Sequence, residues 1–527
     1  MHQVHAARKA SIMTMLVKLD QHHNWRLRYH LQCPSGNITD PNGLSHYKGV
    51  YHIFHQYEPR WPREWGHGWG HWSSPDLLTW YWHGGAIMPS VQTDKNGSYS
   101  GSGIVNGDEL WLYYTGNELM GTRADGYDFD FSGRKANETL VICKDEGDKC
   151  HISMGEKTPV LLNDQYPAYA SNHVRDPKVW KEDGSWWMLL GCRTMESHGC
   201  ALLYKSEDGI KWEMAGSATN KGDGPFGYMW ECPSVAQFGD KEFMFVCPQG
   251  VPKQRYRFQT IHNSGYFPVE GKVIDLLQQD PGKFNAEKPY PCVDIDDFIE
   301  LDFGFDFYAC QVFEDESGRK ILMAWAGVAD MEFEYDVPTT PEWAHTLTMP
   351  RELTLNEAGR ICQWPVEEMD SLREDEVEWS AKTAHGATGF MGSSTYDKFD
   401  MTGAIGAKLD GIGDITVDNI EGEGHIMLNG DLEFVVNHDD AELVFHSHAG
   451  RFRSVRRLPL DVLSAGKVES VRIMVDTSVV EIFVNGGEAT MTTRWFPLDI
   501  KKLIVTSNLK GEHHAWNQHG WTFENIA

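Results

Sequence analysis

The stretch TDPNGLSHYKGVYHIFHQY, residues 39–57, carries a polar turn at 47–49 and then a run of aromatic and aliphatic residues. A glycine-containing turn followed by β-formers reads as the second strand of a hairpin. The same unit returns as NGDELWLYYTG (106–116), EDGSWWMLLGC (182–192), FGDKEFMFVCPQ (238–249) and ESGRKILMAWAG (316–327). The copies start about 60 to 80 residues apart, which is room for a four-stranded sheet and its loops, the size class of a propeller blade. A second echo, SPDLLTW (74–80) and SEDGIKW (206–212), follows two of the units on one template, S-x-D-x-x-x-W.

The strand preceding each turn says more. TDPNGLSHYKG stands before the first turn, RDPKVWKEDG before the third and WECPSVAQFGD before the fourth. Each places a carboxylate, Asp40, Asp176 or Glu231, at a matching distance of about seven residues ahead of the turn. In the second unit, YSGSGIVNGD, Ser100 takes that place. Asp, Pro, Asn and Gly are good turn formers, which accounts for DPNG alone but not for a phase shared by three motifs. Equal phase in a repeat means equal position in the architecture, so the three carboxylates are expected to converge at one end of a common axis.

These patterns predict an all-β chain: an extension over 1–24, a five-bladed β-propeller over 25–358, a charged linker over 359–382 and a β-sandwich over 383–527. The sandwich is read from short alternating runs such as DLEFVVNHDDAELVFHS and VRIMVDTSVVEIFVNGG, whose period of two and Gly, Asn and Asp turns suit antiparallel sheets.

Composition narrows the function. The formal charge of −29 argues against a nucleic-acid partner, since phosphate binding needs Lys and Arg. No apolar stretch approaches the ~20 residues of a membrane helix, and the amino terminus lacks a convincing signal-peptide cleavage site, so no membrane anchor and a cytoplasmic location are expected. The 10 cysteines form no C-x-x-C pair; they read as free thiols, with Cys143 and Cys150 able to pair only in an oxidising compartment. A homo-oligomer is compatible with this composition.

Two opposed carboxylates are what glycoside hydrolysis needs, one to attack or shield the anomeric carbon and one to protonate the leaving oxygen. A third can grip a sugar hydroxyl more tightly as the transition state forms. Arg175 beside Asp176 donates to hydroxyls and carboxylates, Gln56 lies on the first repeat strand, and Trp65, Trp69 and Trp72 either wall a pocket or pack the propeller. His67 and His71 have a metal-like i, i+4 spacing, but Gly66, Gly68 and Gly70 around them indicate a loop, so no metal and no cofactor are expected. His345 fits a structural role as well as a site role. The insert over 117–172, acidic around 125–130, is expected to border the entrance.

The ordered set TDPNG (39–43), YSGSG (99–103), RDPKVW (175–180), MWECP (229–233), MAWAG and MPREL, with VDTSVVEIFVNGGEATMTTRWFP (475–497) near the end, resembles glycoside hydrolase family 32, the β-fructofuranosidases, inulinases and fructosyltransferases. The resemblance implies a retaining mechanism on β-fructosides, with a small sugar as the partner. It makes Asp40 the nucleophile, Glu231 the acid/base, and Asp176 with Arg175 the grip on fructose hydroxyls. Thr39, Gln56, Trp65, Tyr99, Ser100 and Trp325 match positions lining the fructose subsite. Thr39 departs from the family's usual Asn and Tyr99 from its frequent Phe, which bears on substrate preference. Glu231 is then expected to have a raised pKa and Asp40 to be ionised, with the two carboxyls ~5 to 5.5 Å apart. Hydrolysis of sucrose and short fructo-oligosaccharides leads, with transfer to a sugar acceptor, an arabinoside- or xyloside-cleaving propeller and a catalytically silent carbohydrate-binding propeller as the other readings.

Overall fold

The computed structural model describes residues 25–61, 66–120, 133–146, 150–278, 287–329, 343–387, 402–446, 454–497 and 499–526. The extension over 1–24, Trp65 and the acidic stretch at 125–130 lie outside them. Among the described residues the chain is almost wholly β, with two short α-helices, Val273–Gln278 and Ala381–Ala387, and no helix long and apolar enough to cross a membrane.

Each repeat unit is the second strand of a sheet. In the first, Gly36–Tyr47 pairs with Val50–Glu58, then Gly68–Ser74 and Thr79–Ile87 follow outward. The second begins with Ser98–Asn106, the third with Ala170–Glu182, the fourth with Met229–Phe238 and the fifth with Tyr308–Glu314. The two-residue loops closing the first and third hairpins place Lys48, Gly49, Asp183 and Gly184 at positive φ, the geometry whose twist matches paired strands and that glycine adopts without steric cost. The five leading strands form a closed ring, each packing on the next and the fifth back on the first, which makes a five-bladed propeller. Blade strands are covered on both faces, so Ser185–Thr194 is buried at nearly every position and shows no alternation.

Two six-stranded sheets form the sandwich, packed around Ile415, Leu428, Phe434, Phe445, Ile473 and Ile482. The stretch 359–382, expected as a linker, instead holds Ile361–Pro365, the outer strand of the fifth blade, and Arg373–Glu376, an edge strand of the sandwich. Its apolar residues Ile361 and Trp364 pack into the cores there. The chain end also departs from expectation: Thr522–Asn525 leaves the sandwich and lies parallel to Thr79–Ile87 at the rim of the first blade.

Buried charge joins the two parts. Arg351 of MPREL, fully buried, donates from Nε and Nη2 to Glu481 of the sandwich at 2.9 and 2.6 Å and to Thr492 at 2.6 Å. His30 bridges Asp476 and Glu481, 2.9 Å from each.

Candidate active site

All five leading strands share one irregularity. Between Ile38 and Pro41, Ser98 and Gly101, Arg175 and Lys178, Glu231 and Ser234, and Tyr308 and Gln311, three residues advance against two on the neighbouring strand. An extra residue of this kind bends a strand and re-aims its side chains. Proline cannot donate to the ladder and is confined to such places, and Pro41, Pro177 and Pro233 sit in or at the edge of three of the five. The bulges carry Asp40, Ser100 and Asp176 and begin at Glu231 and Tyr308, so the shared phase reflects a shared distortion. Asp176 and Cys232 take positive φ values of 66° and 45°, a conformation that L-residues hold only when surroundings enforce it.

The polar contacts bring these residues together. Ser100 Oγ donates to Asp40 Oδ2 at 2.7 Å. Arg175 donates twice to Glu231 Oε1, from Nε at 2.9 Å and Nη2 at 2.6 Å, and its Nε lies 4.0 Å from Asp176 Oδ2. Tyr308 donates its hydroxyl to Glu231 Oε2 at 2.5 Å. The backbone N–H of Cys232 donates to Asp176 Oδ2 at 2.9 Å, so the residue after one carboxylate orients another. Asn42 Oδ1 accepts from the Gly101 N–H at 3.1 Å, and Gln311 Nε2 donates to the Gly101 carbonyl at 3.2 Å, tying the first, second and fifth blades around the same end of the axis.

Burial pushes the Asp40 carboxyl up to about 7, opposed by the Ser100 hydroxyl and reinforced by the charge of Glu231. Asp176 is likewise pushed up to about 7 by burial, with Arg175 pulling it back. Glu231 is held below the usual carboxylate range, because Arg175 and Tyr308 together outweigh burial. These directions reverse the expectation for Glu231 and Asp40. One guanidinium serves three carboxyls, of which Asp176 is buried and Asp40 and Glu231 are half-buried, and in the ligand-free protein it sits on Glu231, leaving the other two without an equally close cation among the described residues.

The remaining expected residues fall around this cluster. Thr39 precedes Asp40 on the same strand. Gln56, buried on the second strand of the first blade, donates Nε2 to the Ser98 carbonyl at 3.1 Å, while its Oε1 has no hydrogen-bond partner among the described residues. Tyr99 packs edge-on against His67, with ring centroids 5.0 Å apart, under Arg134 at 5.4 Å. Trp325 is buried in the core cluster that holds Cys232 and Tyr308, and its indole N–H is committed to His345 Nδ1 at 3.2 Å, so only the ring is left for a ligand. Of the other two tryptophans, Trp69 donates to the Tyr99 carbonyl at 2.9 Å and Trp72 packs on Trp82.

Matches to known families follow this layout. Residues 30–365 match the glycosyl hydrolases family 32 N-terminal domain, and residues 430–519 match the family 32 C-terminal domain. The chain belongs to glycosyl hydrolases family 32. Within family 32 it is similar to the sucrose-6-phosphate hydrolase of Bacillus subtilis, 33% identical over 483 residues that cover 90% of this chain and 89% of the relative. It is also 33% identical to the raffinose invertase of Escherichia coli over 90% of each chain. Among solved structures, the Bombyx mori GH32 beta-fructofuranosidase BmSUC1 superposes with a TM-score of 0.72 at 25% identity, covering 98% of this chain and 99% of that one. This family-32 chain is accordingly a glycoside hydrolase of the β-fructofuranosidase type.

Sequence reasoning missed Tyr308, Cys232, Thr115 and Glu138. A signal existed for Tyr308, since it stands six residues before Glu314, the end of the fifth leading strand, where the other four stand six or seven residues before theirs. Cys232 acts through its backbone, and Thr115, which bonds Glu138 within the second blade, accepts the Asp176 N–H from the third, so neither leaves a local pattern.

Proposed function

We propose that the protein cleaves terminal β-D-fructofuranosides, sucrose first among them, by a retaining mechanism through a covalent fructosyl intermediate. The observation that carries this reading is the clustering of Asp40, Asp176 and Glu231 at the bulges of three leading strands around one axis, each with its own donor. The Asp40 carboxylate attacks C2 of the fructosyl unit as the C2–O bond to the leaving group breaks, and Glu231 gives its proton to the departing oxygen. Water then attacks C2 as the bond between C2 and the Asp40 oxygen breaks, Glu231 takes up the water's proton, and fructose leaves with its configuration retained and Asp40 again a carboxylate. Asp176 and Arg175 hold fructose hydroxyls, with bonds that tighten as positive charge grows on the ring. The Oε1 of Gln56, without a hydrogen-bond partner among the described residues, suits one further hydroxyl.

For this chemistry Glu231 must gain a proton and Asp40 must lose one. A sugar hydroxyl that engages the Arg175 guanidinium weakens its hold on Glu231, whose burial then raises its pKa, while positive charge developing at C2 favours ionised Asp40. Substrate arrival thereby sets the two carboxyls to their working states. The names of the relatives favour a second substrate for the same reaction, sucrose 6-phosphate.

The test is to incubate wild type and Asp40→Ala with sucrose, 1-kestose and sucrose 6-phosphate, and to quantify fructose, glucose, glucose 6-phosphate and longer oligosaccharides. Equal glucose and fructose from sucrose, with Asp40→Ala slower by about a thousandfold or ~4 kcal/mol of barrier, supports hydrolysis as written. Glucose in excess of fructose, with growing oligomers, makes transfer the main reaction. Turnover of the phosphate ester alone supports the second substrate. Wild type inert on all three, yet binding fructosides, leaves a carbohydrate-binding propeller.

A further inference from the structure

Behind Asp176 lies a carboxyl with no part in the chemistry above. Glu138 is fully buried on Arg134–Asp145, the third strand of the second blade, directly across from Thr115 on Glu109–Leu119. Thr115 Oγ1 donates to Glu138 Oε2 at 2.8 Å and accepts the backbone N–H of Asp176, in the third blade, at 2.9 Å. Tyr166 donates its hydroxyl to Glu138 Oε1 at 3.0 Å. Two hydroxyls are thus the side-chain hydrogen-bond partners of Glu138 among the described residues, and a buried carboxylate facing hydroxyls rather than a cation is costly. We propose that Glu138 is a positioning residue for the fructoside reaction: by accepting from Thr115 it fixes that hydroxyl, which in turn anchors the strained backbone of Asp176.

The argument is one of hydrogen-bond polarity. By accepting the Thr115 proton, Glu138 leaves the lone pair of that oxygen aimed at the Asp176 N–H. Asp176 holds φ at 66° with its Oδ2 on the Cys232 N–H, so its carboxyl is fixed from both ends. Loss of either anchor lets the backbone relax toward an ordinary conformation and moves the carboxyl off the sugar. Burial pushes Glu138 up to about 8, against the pull of Thr115 and Tyr166 and with the charge of Asp176 adding to the rise. The groups facing it are Asp176, flanked by Arg175, together with Tyr166 and Tyr204. Both tyrosine hydroxyls are driven far above their usual range and stay neutral across an assay, so Glu138 and Asp176 are the titrating members.

The inference rests on the role given to Asp176, and Asp176→Asn separates the two. Steady-state kinetics on the best fructoside would be run from pH 5 to 9 for wild type, Glu138→Gln, Glu138→Ala, Thr115→Val and Asp176→Asn. Expected is a fall of about 10- to 100-fold in kcat for Glu138→Ala and Thr115→Val, with KM changing less. Glu138→Gln, which keeps an acceptor for Thr115, restores most of kcat near pH 6 and loses the part of the alkaline decline that Glu138 ionisation contributes around pH 8. Thr115→Val carries the test if Glu138→Ala fails to fold. Wild-type kcat in Thr115→Val, or an alkaline limb unchanged in Glu138→Gln, overturns the inference provided Asp176→Asn is impaired. Full activity in Asp176→Asn overturns the reading of Asp176 itself.

Discussion

Tyr308 and Arg175 share the two oxygens of Glu231, and this sharing holds that carboxyl below its usual range. Removing the phenol should therefore raise the Glu231 pKa. An acid that works protonated gains range when its pKa rises, so Tyr308→Phe is expected to move the alkaline limb of kcat, which reports the substrate-bound enzyme, upward by about one pH unit, the size of one charged hydrogen bond. A pH profile of the variant checks this, and a limb unmoved or moved downward contradicts it. Asp40 and Asp176 were legible from residue type and phase, because the fold repeats. Tyr308 was as legible in principle and went unread for want of a carboxylate to mark it. The charge balance was not legible, because it depends on which of three carboxyls the single guanidinium reaches.

The element that makes the site is the bulged leading strand. In three of the five strands its sequence signature is a carboxylate one or two residues before proline, six or seven residues ahead of the strand's end, and the whole hairpin was readable from residues 39–57 alone. Less readable is how closely blades must approach. A Cβ built on Gly191, in the second strand of the third blade, would stand 2.1 Å from the Trp230 carbonyl oxygen and 3.4 Å from the Glu231 Cα. Backbone cannot yield as a flexible side chain does, so Gly191→Ala should destabilise the protein by ~1–3 kcal/mol and lower kcat by displacing Glu231. Thermal unfolding and kcat measured together check this; a stable and fully active variant would mean that the blades move apart freely. The outer strand Ile361–Pro365 was mistaken for linker because its charged neighbours, Glu367, Glu368 and Asp370, dominate the local pattern, while its pairing partner is fixed only by the fifth blade.

At the scale of the whole molecule, a buried ionic lock docks the sandwich on the propeller. His30 sits between Asp476 and Glu481, and although burial disfavours its charge, the bonds to these two carboxylates raise its pKa from 6.5 to about 9. A pKa raised on folding contributes stability that is fully present below the unfolded value near 6.5 and is lost as pH rises through about 9. Wild type should thus lose unfolding free energy between pH 7 and 9.5. His30→Gln should lack that part of the slope and be less stable by ~3 kcal/mol at pH 6, since it leaves buried carboxylates short of a partner. Denaturant midpoints at pH 6, 7.5 and 9 decide it, and equal slopes for both proteins would rule out His30 as the source.

The sequence by itself determined the all-β class, the five-fold repeat, the sandwich behind it and the three carboxylates at one phase, because each is written in local periodicity and in residues confined to turns and bulges. Only the tertiary structure decided which donor serves which carboxyl, that Glu138 stands behind Asp176, that the last strand returns to the first blade and that Arg351 and His30 join the two parts. Those outcomes depend on side chains brought together from distant parts of the chain, where burial and the placing of a few cations set the energies and no local pattern records the partner.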